Sequence, residues 1–386
     1  MTSEERKENR YQRRKLKRKA KRDKLLSKYD SFYNVINRDA LAEAANDARK
    51  GISWKGSVKR FHLRLIYNIA MLNNKLMYHK DIRKGFVCFY LYERGKKRDI
   101  MSVHFSERVV QKSFCKNAAI PILTHNLVYD NGASQKGKGT QFSVNRLKTH
   151  LHREYRRNGN NGYILLIDFS GYFANIQHEP LKKQLAKAFS DSSLLWLSYQ
   201  FVDAYYDYNL KNGIDEHVGL GLGGEPNQAY AVSFPNSIDH FIKEQLHIKG
   251  FGAYMDDRYL IHKDKEYLKY CLEEIRKKCN ELGITINEKK THIVKLSHGF
   301  TFLKTQFRLT DSGAIVIKPC REQIVRERRK LKKQKKLLEK GEMKFPDVRC
   351  SYASWRGCVY KKGARRTVWN MDKLYNKLFI EDWRCV

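Results

Sequence analysis

Two adjacent carboxylates, Asp256 and Asp257, interrupt an apolar and aromatic stretch that runs from Gly252 to Leu260. The flanks read as two short strands, which places the acids in the tight turn of a hairpin. A turn breaks the alternation of strand side chains and presents neighbouring acids at one tip. At such range they repel and raise each other's pKa unless a cation neutralises them. Aspartate is also common in turns for its geometry alone, so the pair gains weight only from the rest of the chain. The first support lies upstream. Gly162 to Ile167 is a continuous apolar run, the pattern of a buried central strand, and it ends in Asp168. A carboxylate at the end of a buried strand is costly unless it is paired or binds a metal.

Charge narrows the partner. The formal net charge is +36 over 386 residues, which calls for a polyanion, either nucleic acid or an anionic membrane. No apolar run approaches a membrane span and no secretory signal is present, so no membrane partner is expected and nucleic acid is favoured. Eight cysteines lack CxxC spacing, which indicates neither a zinc site nor a disulfide framework and suits reduced thiols in a cytoplasmic setting.

The pattern divides the chain into four stretches. Residues 1–30 form a basic arm with helical propensity but little apolar face, expected to be mobile alone and to order on phosphates. Residues 31–160 begin with helical periodicity to Tyr78. A strand follows from Phe86 to Tyr92, with a turn at Glu93–Arg98. Next come a helix starting at Glu107 and a Gly/Lys loop, Tyr129–Thr140, that opens onto a helix over Gln141–Tyr155. Such a loop is either an anion site or an ordinary surface turn. Residues 161–318 hold the Asp168 strand, a glycine-dense segment Val218–Gln228, and a helix from about Ala229 to Gln245. The Asp256 hairpin, a helix over Glu266–Leu282, and strands Gly299–Phe307 and Ala314–Lys318 complete this stretch. Residues 319–386 open with a very basic helix, Arg321–Lys340, followed by two aromatic-bearing helices.

Nucleotidyl transfer uses acids to hold two Mg²⁺ ions roughly 4 Å apart, clamping the attacking and leaving oxygens. Asp168, Asp256 and Asp257, preceded by a Lys/Gly loop, supply that set. In this order they resemble the palm of reverse transcriptases, and Tyr254-Met255-Asp256-Asp257 matches the family's YxDD signature. The resemblance spans about Glu107 to Phe307. It implies an α+β right-hand polymerase with fingers, palm (residues 161–318) and helical thumb (residues 319–386). It implies Asp168, Asp256 and the Phe169 carbonyl as ligands of two Mg²⁺ ions, with Mn²⁺ as a substitute and Asp257 as an accessory acid. Phe173 matches the steric gate against a ribose 2′-OH, so dNTPs are the expected substrate. Lys138, Lys136 and Arg108 match positions that hold the incoming triphosphate. Gly223 and Gln228 belong to the loop that lines the substrate. Lys290 matches a lysine that protonates the departing pyrophosphate, and Phe302-Leu303-Lys304 resembles the primer-grip hairpin.

The chain looks closest to prokaryotic members: group II intron, retron, diversity-generating and defence-associated enzymes. Asn227-Gln228 replaces the common Ser-Pro ending of the substrate loop, nearer the variant of diversity-generating elements. The resemblance implies an RNA template, a dedicated noncoding RNA of a diversity-generating or phage-defence element, and a DNA or RNA primer. Two rivals share the sequence: untemplated or protein-primed synthesis by the same palm, and a non-catalytic RNA-binding scaffold. The scaffold gains nothing from acids placed among phosphates.

Overall fold

A strand that is apolar at every position must be covered on both faces. The computed structural model, which describes residues 2–93 and 96–381, shows how this is done. The chain opens with five helices: α1 (Ser3–Tyr29), α2 (Phe32–Ile36), α3 (Arg38–Ala48), α4 (Gly56–Leu63) and α5 (Leu65–Met77). Strands β1 (Phe86–Glu93) and β2 (Lys96–Val103) pair antiparallel, and residues 94 and 95 of the expected turn lie outside the described residues. Next are α6 (Phe105–Phe114), a π-helical segment (Cys115–Ala119), α7 (Ile120–Thr124), α8 (Thr140–Asn158), β3 (Tyr163–Asp168), α9 (Tyr172–Asn175), α10 (His178–Ala188) and α11 (Ser192–Lys211). The central part continues with α12 (Glu225–Ser233), α13 (Asn236–Glu244), β4 (Gly250–Tyr254), β5 (Asp257–His262), α14 (Lys265–Glu281) and β6 (His292–Lys295). Three short strands, β7 (Phe300–Phe302), β8 (Thr305–Leu309) and β9 (Ile315–Pro319), precede α15 (Arg321–Glu339), α16 (Phe345–Tyr360) and α17 (Arg365–Asn376).

The central sheet has the order β4-β5-β3-β6, with every neighbour antiparallel. Alternation along β3 sends Leu165 and Ile167 to one face and Ile164 and Leu166 to the other. The first face joins the main core with α14 (Leu268, Ile275) and the helices around α6 and α11. The second packs on α8 (Leu147, Leu151) and on the β7-β8-β9 sheet through Phe300, Phe302 and Phe307. A separate core, built on Leu331, Val348, Tyr352, Met371 and Tyr375, holds α15, α16 and α17 together. Among the described residues no helix is long and apolar enough to cross a membrane.

Three expected elements differ in detail. The helix expected over Ala229–Gln245 is two, α12 and α13, because Pro235 cannot continue the ladder. The strand expected over Gly299–Phe307 is a hairpin, β7-β8, whose turn residues Leu303 and Lys304 both have positive φ (46° and 58°). That is the backbone of a two-residue turn matched to strand twist. The basic arm is a continuous helix, α1, capped by a reciprocal Thr2–Glu5 box and with no buried residue. Its C-terminal end is tied down: Arg22 donates to the Lys187 carbonyl at 2.9 Å, and Ser190 N donates to the Asp30 carboxylate at 2.7 Å.

Helix α6 buries an acid. Glu107 accepts from Gln111 Nε2 at 3.2 Å and from the Lys84 amide at 3.4 Å, and burial pushes its pKa up to about 7. The folded pKa lies above the unfolded value near 4.5, so this group favours folding at low pH and the benefit is lost as pH rises through 7. Glu107→Gln is therefore expected to flatten the pH dependence of the thermal midpoint between about pH 5 and about pH 8. An unchanged slope in melts followed by circular dichroism would show that Glu107 does not set it.

Candidate active site

The acidic hairpin is built by register. Tyr254 pairs with Asp257, which leaves Met255 and Asp256 as the two turn residues. Met255 has φ 54°, a left-handed conformation that costs a side-chain-bearing residue about 1–2 kcal/mol. Below the turn, a Cβ on Gly252 would lie 2.5–2.6 Å from atoms of the Tyr259 ring, so only glycine allows the two strands to pair there. On the other side of β5, Asp257 stands opposite Asp168 in β3, and the Phe169 amide donates to the Asp256 carbonyl at 3.2 Å. Asp168 and the adjacent pair Asp256 and Asp257, far apart in sequence, thus meet at one end of the sheet.

Their electrostatics are those of a crowded anionic corner. Burial, then repulsion from Asp256 and Asp168, pushes Asp257 up to about 7. Asp256 is also raised, first by burial and further by Asp168. Asp168 is served from the segment before β6. Lys290 Nζ contacts its two oxygens at 2.9 and 2.8 Å, and Asn287 Nδ2 donates at 3.1 Å. The hydrogen bond to Asp168 in turn raises the Lys290 pKa. Among the described residues no three His, Cys, Asp or Glu side chains form a ready-made metal cage. Mg²⁺ rarely needs one: it commonly takes one or two carboxylates and completes its shell with water and substrate phosphates. A corner where acids outnumber ammonium groups, with two carboxylates raised by burial and then by repulsion from neighbouring acids, fits an ion that arrives with a polyphosphate. The pairing of β3 with the Ile286 segment uses the Asp168 carbonyl and the Ser170 amide and does not engage the Phe169 carbonyl.

The other sequence-predicted residues surround this corner at different depths. Phe173 is half-buried at the start of α9, and its carbonyl accepts from Leu220 at 2.7 Å, which fastens it to the glycine-dense loop. That loop is fastened in turn to β2 by Met101 N, which donates to Leu222 O at 2.8 Å. Gly223 has φ 138° and a Cβ there would come within 2.5 Å of the Met101 carbonyl, so glycine is required. Gln228 is exposed, whereas Asn227 is buried and donates to the Gly221 carbonyl at 2.8 Å. Arg108 donates to Ser102 Oγ at 3.1 Å. Lys136 is exposed. Lys138 is occupied within its own loop: Nζ donates to the carbonyls of Tyr129 (2.9 Å) and Asn131 (3.0 Å), between the Tyr129 and Phe142 rings. The loop is stapled to the acidic hairpin, since Gly132 N donates to Ala253 O at 3.0 Å and Ala253 N to Asp130 O at 3.1 Å.

Two residues that sequence reasoning passed over organise the turn. Arg258 and Asp239 are both fully buried and paired at 2.8 Å. Arg258 Nη1 also donates to the Met255 carbonyl at 2.9 Å, and its guanidinium lies 4.3 Å from the Phe169 ring centroid. One side chain therefore touches the turn, the residue after Asp168, and α13. The signal was available: an arginine inside a strand otherwise fit for burial needs a buried partner.

Residues 94–307 match the family described as reverse transcriptase (RNA-dependent DNA polymerase). Among solved structures, the telomerase from Candida albicans in complex with a TWJ fragment of telomeric RNA is similar at 11% identity and TM-score 0.47, covering 66% of this chain and 51% of that one. The apo telomerase from Candida tropicalis truncated from its C-terminal domain is similar at 14% identity and TM-score 0.46, over 65% of this chain and 59% of that one. The chain thus spans between half and three-fifths of the length of these structures. No curated protein matches it in sequence.

Removing one partner of the buried pair strands a charge. Arg258→Met is expected to cost about 3–5 kcal/mol, and the double variant Arg258→Met/Asp239→Leu much less, because the uncompensated carboxylate is gone. Urea unfolding of the two proteins measures the difference. Equal losses would mean that packing, not charge, dominates the site.

Proposed function

The chain belongs to the reverse transcriptase (RNA-dependent DNA polymerase) family, and we propose that it extends a DNA or RNA primer with dNTPs on an RNA template. The observation that carries this reading is the meeting of Asp168, Asp256 and Asp257 at the end of the central sheet. We assign residues 31–160 to fingers, 161–318 to the palm and 319–386 to the thumb. Asp168, Asp256 and the Phe169 carbonyl would hold Mg²⁺, with Asp257 as accessory. When bound, the ions lower the pKa of the primer hydroxyl and neutralise charge on the leaving pyrophosphate.

The chain's own groups do the rest. Lys290 holds a proton at Nζ beside Asp168 and is the group that would donate it to the departing pyrophosphate. Phe173, anchored through its carbonyl to the glycine-dense loop, is assigned the role of refusing a 2′-OH. Lys136 and Arg108 are assigned to the triphosphate. Lys138 reaches it only by releasing the two carbonyls it now holds, so in this state it shapes the loop. Gly223 and Gln228 border the base and sugar.

The finer reading is a prokaryotic enzyme working with a dedicated noncoding RNA in a diversity-generating or phage-defence element. Support comes from the Asn227-Gln228 ending of the substrate loop and from the basic helices at both ends of the chain. Thirteen of the 27 residues of α1 are Lys or Arg, none of its residues is buried, and α15 is similarly basic. Such faces suit phosphate contacts on RNA.

Primer extension on an RNA template is the direct test. Asp168→Asn and Asp256→Asn should each lower dNTP incorporation by about a thousandfold or more, the loss expected when several kcal/mol of charge stabilisation goes. Phe173→Ala should raise rNTP use relative to dNTP. Undiminished synthesis after Asp256→Asn would remove the assignment. Replacing Arg13, Arg14, Lys17 and Arg18 by Gln should reduce the salt slope of RNA binding by roughly three if all four contact phosphates; filter binding from low to moderate salt reads the slope, and an unchanged slope would exclude α1 from the interface.

A further inference from the structure

Helix α5 is mostly apolar, its polar residues being Asn68, Asn73, Asn74 and Lys75. Its thirteen residues carry a single charge, Lys75. Here only one side is covered: Ile69, Leu72 and Leu76 enter the main core. Successive residues advance about 100° around a helix, which brings Ile66, Tyr67, Met71, Met77 and Tyr78 onto the opposite side, continuous with Leu63 at the end of α4. All six are exposed, Leu63 and Ile66 at 84% and 86%. The helix cannot roll this stripe inward. Asn73 Nδ2 donates to the Ile36 carbonyl at 2.9 Å and Asn68 Nδ2 to the Phe61 carbonyl at 3.0 Å, so both flanks are tied to the body of the protein. The result is a largely apolar patch on the order of several hundred Å², interrupted by exposed Asn74, of the size that marks an interaction site.

The surroundings of the patch indicate what covers it. Between Asp47 and Asp81 the sequence has no Asp or Glu and eight Lys or Arg. Lys59, Arg60 and Arg64 are exposed beside the stripe. A second copy of the chain would bring two such rims together at a formal charge of +36 each, which opposes association. Single-stranded nucleic acid stacks on aromatic rings, whereas four of the six side chains here are aliphatic or thioether. Methionine pairs such as Met71 and Met77 are adaptable contact surfaces for packed protein partners.

We propose that the outward face of α5 docks a different protein, one whose contact surface is apolar and edged with Asp and Glu. The apolar stripe supplies burial, and the acid-free rim supplies steering and selects against basic partners. The site lies outside the acidic corner and its occupancy does not depend on the polymerase reading.

The test uses the full chain and a fluorescent amphipathic helical peptide with Leu at i, i+3, i+4 and i+7 and Glu elsewhere, beside the same peptide carrying Lys. Fluorescence anisotropy should show binding of the Glu peptide only. Ile66→Asp/Met71→Asp should weaken it by about tenfold or more, as loss of central apolar contacts does. Arg60→Glu/Arg64→Glu should weaken it chiefly at low salt. Both variants replace exposed residues and should keep the wild-type melting temperature and primer-extension activity. Four results would overturn the proposal: no binding of the Glu peptide; equal binding of the Glu peptide by the Ile66→Asp/Met71→Asp variant; capture of phosphatidylcholine–phosphatidylserine vesicles abolished by that variant, which would make the face a lipid site; or wild-type dimers in sedimentation velocity that the variant lacks, which would make it a self-contact.

Discussion

A guanidinium with no access to water fixes the geometry of the acidic corner. Arg258 lies in β5 immediately after the two acids, and its partner Asp239 lies on α13. Taking both charges out of water costs several kcal/mol each, and their attraction offsets that only in good geometry. What the pair contributes beyond any net stability is location. Arg258 holds the carbonyl of Met255, the residue in the unfavourable left-handed conformation, and covers the Phe169 ring. A strained turn persists only where its surroundings over-determine it. Here the surroundings are a helix, a neighbouring strand and one hydrogen bond, all delivered by a single side chain.

The same chain treats its buried acids in two ways, and the contrast separates scaffold from site. Asp130 is buried and neutralised by its own protein: Arg146 at 2.5 Å and Lys243 at 2.9 Å, with His150 nearby at 3.7 Å. The hydrogen bonds from Lys243 and Arg146 outweigh the burial and hold its carboxyl below the usual range. Its backbone continues the staple to β4. Asp256 and Asp257 are shifted the other way, upward, because burial and repulsion exceed what Lys290 and Arg258 return. An acid satisfied at home is structural. An acid left under repulsion at the end of a sheet suits the proposed role of receiving a cation from outside. Lys290 makes its direct contact with Asp168 and acts on Asp256 and Asp257 only through space.

Local patterns were legible in the sequence, and distant partners were not. The β3 run and the Asp256 turn announce themselves within a dozen residues, since period and turn chemistry are local. The break at Pro235 was equally local and was overrun by the apolar pattern on either side of it. The order of the sheet, with β3 between β5 and β6, depends on contacts across about a hundred residues. Lys138 shows the sharper limit. A lysine in a glycine-rich loop before a helix reads as an anion ligand, yet its ammonium is spent on two carbonyls of the same loop. No spacing rule reports where a flexible four-carbon side chain ends. Arg258 fails for the opposite reason: its partner on α13 belongs to an element whose packing the sequence leaves open.

The distribution of charge would couple stability to the RNA partner proposed above. Helix α15 carries nine Lys or Arg against three Glu, and α1 is more basic still. Neither helix has internal acids enough to balance it, and like charges at i,i+4 on one helix destabilise it. The fold therefore carries self-repulsion that a polyanion relieves. A ligand that binds the folded chain more tightly than the unfolded one raises stability by mass action. The unfolded chain is equally cationic and also attracts RNA, so only the differential counts. In the proposed complex that differential would be the geometric part: phosphates met by helices whose spacing the fold has fixed. In α15 it is fixed by Leu331, packed against Val348, Tyr352 and Met371 of the C-terminal core. The apolar contacts under the basic face thus decide whether the charge above it recognises a shape or merely condenses on it.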